Sequence, residues 1–108
     1  MEPEPSDFIA MMTHEFIKAI KKADKKLTCE LYRHVAEKLN DATIYIVRCG
    51  PKDMAAFAIG PNFMITRICG DANSTKRHDF DPTDPSWDPK KTIGKAVKTM
   101  VKQINEQA

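Results

Sequence analysis

The chain has 108 residues, 42% of them hydrophobic, and 17 basic against 15 acidic side chains give a formal net charge of +2. That length suits one domain with its own core, burying roughly 65% of the surface its unfolded chain would expose. Near-balanced charge excludes an acidic nucleic-acid mimic, and it leaves any polyanion binding to local clusters of lysine rather than to an overall field.

Residues 1–5 alternate acid and proline after Met1 and are expected to be a mobile tail ahead of a single domain over 6–108. From Ser6, a residue suited to capping a helix, Phe8, Ile9, Met12, Phe16, Ile20 and Ala23 recur at steps of three and four, with Lys18, Lys21, Lys22 and Lys25 mostly off that stripe. The spacing predicts an amphipathic helix. A second helix is expected after Leu27, with Thr28 as its cap, Glu30 in the first turn, and Leu31, Val35 and Leu39 on one face, ending near Asn40 or Asp41.

The period then changes. Residues 44–47, 55–59 and 63–66 are short, rich in β-branched and aromatic side chains, and separated by turn chemistry around Gly50-Pro51 and Gly60-Pro61. Three antiparallel strands in a meander follow. Ile44 and Ile46 alternate with Tyr45 and Val47, so this sheet is apolar on both faces, where one face in water would alternate with polar residues. Helices on both sides, or a second copy of the chain on one, would satisfy it. The stretch from Asp71 to Trp87 is long for a connection without structure, and a fourth, edge strand over 76–80 shortens it. Asn73-Ser74-Thr75 reads as a turn. The acidic, proline-rich run 79–89 leads into the last helix, 90–107, where Asp88 caps and Pro89 takes the first helical position. Ile93, Val97, Met100, Val101 and Ile104 form its apolar stripe. The fold class is therefore α+β, with two N-terminal helices, a three- or four-stranded sheet, a long acidic loop and a C-terminal helix.

Little in this pattern performs chemistry. Cys29, Cys49 and Cys69 are an odd number at wide spacing, no signal peptide precedes them, and no apolar run approaches 18 residues, so a reduced, cytoplasmic setting without a membrane span is expected. Cys29 and His34 miss the spacing that aligns two helical ligands, and the calcium-loop-like opening at Asp79, Asp81 and Thr83 has Asp84 where glycine is required. No metal, cofactor or enzymatic role is expected. Trp87 and Phe80, set among Asp81 and Asp84, can anchor and steer a protein partner. Trp87 can equally fold back as a lid on the core.

The alternative lies in the last helix. Lys90 and Lys91 stand in its first turn, where free N–H groups favour an anion, and Lys95 and Lys98 continue the basic face. The run Lys90-Lys91-Thr92-Ile93-Gly94-Lys95, with Pro61-Asn62-Phe63 and Gly70-Asp71 upstream, resembles double-stranded-RNA-binding domains over 28–104, with a helix, three strands and a lysine-fronted final helix. The resemblance implies contact with duplex RNA by shape and backbone. It departs from that family in its acidic loop and its additional N-terminal helix. The reading that leads is a small non-enzymatic binding protein, an inhibitor or adaptor that docks on another macromolecule, with homodimerisation through the sheet. RNA or DNA binding comes second, and binding of a small anion such as a nucleotide at the Lys90 helix start comes third.

Overall fold

The structure, a computed structural model, describes residues 5–35 and 42–106. Helix α1 spans Pro5–Ala23, five strands follow as β1 (Leu27–Val35), β2 (Ala42–Cys49), β3 (Lys52–Ile59), β4 (Phe63–Ile68) and β5 (Asp71–Asp79), and helix α2 spans Pro89–Glu106. The strands pair in chain order as one antiparallel sheet, with β1 and β5 at its edges. This is an α+β fold, and both terminal helices form as their apolar spacing predicts. Residues 1–4 of the expected tail lie outside the described residues, and Pro5 already belongs to α1.

The second expected helix is corrected. Leu27–Val35 is the edge strand β1, whose Leu27, Cys29 and Leu31 pair directly with Cys49, Val47 and Tyr45 of β2. A four-residue step such as Leu31 to Val35 satisfies a period of 2 as well as one of 3.6, whereas the two-residue steps Leu27–Cys29–Leu31 fit only a strand. The helix end expected near Asn40 or Asp41 lies outside the described residues. The helix that the RNA-binding resemblance places after residue 28 is thus a strand, and the sheet has five strands where the sequence predicts three or four and that pattern has three. The segment 73–75 read as a turn belongs to β5. There the buried Ser74 hydroxyl accepts the Ile68 N–H at 2.8 Å and donates to the Asp71 carbonyl at 2.6 Å, supplying a partner where the β4–β5 register shifts.

Four reversals join the five antiparallel strands and one more lies at each helix junction, an even number, so α2 leaves the sheet pointing the same way as α1. The contacts agree: Phe8 near the start of α1 lies 6.1 Å from Trp87 just before α2, while Ala23 and Asn105 border one groove at the far ends. Both helices cover the same face. Met12, Phe16 and Ile20 from α1 and Ile93, Ala96, Val97, Met100 and Ile104 from α2 pack with Val47, Ala55, Phe57, Ile59, Met64 and Ile68 in one continuous core. Phe16 stacks on Phe57 at 4.3 Å, and Phe57 on Tyr45 at 5.3 Å. Full burial of such side chains stabilises by roughly 1.5–3 kcal/mol each.

The opposite face has no helix on it among the described residues. Its centre is Ile44, Ile46, Ala56 and Ile65, all half-buried, with Ala58 and Phe63 buried between them. Gly60 makes room for the Phe63 ring, since a Cβ there would collide with Phe63 Cε1, whereas a Cβ at Gly94 on α2 would meet none of the described residues within 4 Å. Gly60→Ala is therefore expected to cost about 1–3 kcal/mol through overpacking, and Gly94→Ala to stabilise by about 1 kcal/mol through helix propensity. Paired urea denaturation curves check both signs.

Candidate binding surfaces

The acidic loop is built from the inside of its own turns. Asp81 Oδ1 accepts the backbone N–H and hydroxyl of Thr83 at 2.9 and 2.6 Å. Asp84 Oδ1 accepts the backbone N–H and hydroxyl of Ser86 at 2.9 and 2.8 Å, and these bonds, the backbone one first, hold its carboxyl below the usual range. Asp88 Oδ1 accepts the Lys90 N–H at 3.0 Å and caps α2. Each is an aspartate turn in which the side chain stands in for backbone.

Phe80 and Trp87 close this loop on the core. Their rings stack at 4.8 Å and 5° between planes, Phe8 tilts against both, and the Trp87 indole N–H donates to Thr92 Oγ1 at 2.8 Å. Phe80 is only 9% exposed and Trp87 is half-buried. Trp87 thus folds back, as one of the two sequence readings has it. Of the four residues assigned to a protein partner, Asp81 and Asp84 are exposed and the two aromatics present little free surface.

The lysines assigned to a polyanion do not converge on one point. Lys90 shares a concavity of about 310 Å³ with Lys18 and Lys22 of α1. Lys98 and Lys102 line an adjoining groove and also a further hollow with Lys76, and Lys95 lies close enough to His78 to bear on its titration. The N–H of Lys90 is taken by the Asp88 cap, which removes one of the donors a small anion would use there. Charge is nonetheless segregated on the molecule. The two helices carry Lys18, Lys21, Lys22, Lys90, Lys91, Lys95, Lys98 and Lys102 against Asp7, Glu15 and Glu106, while every arginine of the chain lies on a strand.

Two surfaces escaped sequence reasoning. The first is the polarity of the open sheet face. Across the strands, Glu30, Ile46, Ala56 and Arg67 form one row, acid on the edge strand β1 and base on β4, next to the other edge, with apolar residues between. The neighbouring row runs Ile44, Ala58, Ile65 and Arg77, and Arg77 lies 4.7 Å over the Phe63 ring while pairing with Asp79 at 2.8 Å. Arg48 on the same face pairs with Glu30 at 3.1 Å and Asp53 at 2.9 Å. The second is the groove between the parallel helices, about 870 Å³ in volume. Neither is readable from sequence, because each depends on which faces the helices cover.

Two of the thiols are held in their neutral form. Burial pushes the Cys29 thiol up to about 11 and also raises Cys69, where the Asp53 charge adds to the effect. Among the described residues no three His, Cys, Asp or Glu side chains gather as metal ligands, and no helix is long and apolar enough to cross a membrane. No protein-family model, curated protein or solved structure matches this chain.

Two outcomes follow from the local geometry. Trp87→Ala removes a half-buried stacked ring, and about half the usual cost of deleting a core tryptophan, about 2 kcal/mol, is expected in thermal or urea unfolding. His78 has a buried Nε2 without a hydrogen-bond partner among the described residues, and burial, then Lys76 and Lys95, lower its pKa from 6.5. The unfolded chain therefore binds more protons below that value, so the contribution of His78 is full above pH 6.5 and is lost as pH falls through the folded pKa. Urea midpoints should drop between pH 7 and 5, and drop less in His78→Gln; equal slopes in the two proteins would exonerate His78.

Proposed function

We propose that this chain is a non-enzymatic docking protein, an inhibitor or adaptor that works by covering another macromolecule's surface, and that the open face of its sheet is an interface whose first occupant is a second copy of the chain. The observation that carries this reading is the row Glu30, Ile46, Ala56 and Arg67. A two-fold axis lying along the strands stacks two such faces so that the acidic margin of each meets the basic margin of the other. The apolar centres are then buried together, as in a sheet sandwich. Contiguous apolar surface of this kind, bordered by polar groups, is what association sites present. The rim arginines and acids supply register and selectivity.

The test is the solution mass. At tens of micromolar, light scattering is expected to give about twice the 12.2 kDa of one chain, and Ile65→Asp, placed on the half-buried patch, to return it to one chain with the circular dichroism unchanged. A parent protein that stays at 12.2 kDa at high micromolar concentration would remove the dimer.

A further inference from the structure

We infer that the groove between α1 and α2 is a docking site for an acidic amphipathic helix of a protein partner. This site is on the opposite side of the molecule from the open sheet face and does not depend on the dimer proposed there. Its floor is Ala19 and Ala23 from α1 and Val97 and Val101 from α2, and its walls carry Lys22, Lys98 and Lys102. The same channel continues toward Lys18 and Lys90. From Lys90 to Glu106 it runs about 24 Å at 1.5 Å per residue, the length of a helix of roughly 16 residues.

Three features select the occupant. The first is charge: five lysines border the channel, with Glu15 and Glu106 as the acids among its lining residues, so the partner's flanks are acidic. The second is the apolar floor. Val97 and Val101 line it with Ala19 and Ala23, one helical turn apart on α2, and present small apolar footholds that side chains spaced along a partner helix can match. An apolar floor also offers nothing to phosphates, which disfavours a nucleic-acid duplex. The third is Gly94, exposed in the second turn of α2 at the point shared by both parts of the channel. No neighbour among the described residues requires a glycine there, and its absent side chain lowers the wall so that another backbone can come close. Helix-in-groove recognition reads such a channel through apolar anchors three and four residues apart.

The probe is a synthetic 16-residue helical peptide with leucines at three- and four-residue spacing on one face and glutamates on the others, labelled for fluorescence anisotropy with the full chain. Saturable one-to-one binding in the micromolar range is expected. Lys98→Glu with Lys102→Glu should weaken it about tenfold or more. Gly94→Leu should weaken it by a similar factor while the thermal midpoint stays equal or rises, because leucine fills the groove and favours helix. Ile65→Asp, which acts on the sheet face, should leave it unchanged, so failure of the dimer and failure of the groove are separable. No saturation by about 1 mM peptide, or Gly94→Leu binding as well as the parent, overturns the inference. So does a leucine-free acidic peptide, a duplex RNA or a phosphatidylserine vesicle that binds more tightly than the helix and responds in the same way to the lysine reversals, since the surface would then be a simple polyanion contact.

Discussion

The stack of Phe16 on Phe57 ties the first helix to the middle strand of the sheet, and the rest of the architecture depends on which face that contact chooses. Once α1 lies on one face, α2 gains most by lying beside it, because the apolar surface of the sheet and of the first helix are both available there. The single core that results takes in residues from both helices and from β2, β3 and β4. Its cost is that one sheet face is left without a covering element among the described residues, and that face carries isoleucines.

Parallel helices bring a second constraint. Their backbone dipoles point the same way, so positive ends gather at the loop and negative ends at the opposite pole. Side-chain charge opposes this along α1, with Asp7 in the first turn and Lys21 and Lys22 in the last. At the α2 start the compensation comes from Asp88 and the aspartates upstream, whereas Lys90 and Lys91 stand in the first turn against the dipole. The folded-back Trp87 and the aspartate turns therefore act on stability as much as on surface. The acidic loop is a plug at one pole of the helix pair, and the lysines above it form a separate layer.

The parts of this fold legible in the sequence are those whose apolar residues repeat with one unambiguous period. α1 and α2 show it, and so do β2, β3 and β4, where bulky apolar residues end at glycine turns. Gly50 and Gly70 do adopt positive φ there, at 62° and 81°. β1 was obscured because its apolar spacing suits two periods at once. β5 was only partly visible because an edge strand with one buried residue, Ser74, has almost no hydrophobic signal to read. The role of Asp88 as a cap could be read locally. The crowding of lysines on the two helices, with every arginine on a strand, could be counted in the chain, yet its meaning depends on the layers. The groove and the polarity of the sheet face come from pairings between residues distant in sequence, and no local pattern records them.

The two register shifts at the margins of the sheet, one between Leu31 and Arg33 of β1 and one between Thr66 and Ile68 opposite β5, bear on how this molecule avoids fibre growth. An open five-stranded sheet has two rows of unsatisfied backbone groups, and a regular edge would recruit further strands without limit. A bulge twists each edge strand away from the flat geometry that such templating needs, and on β5 the exposed Lys76, Arg77 and Asp79 add charge to it. In-plane extension is thereby discouraged at both ends. The face is then the surface left for association, and the two-fold arrangement proposed there would close on itself and stop.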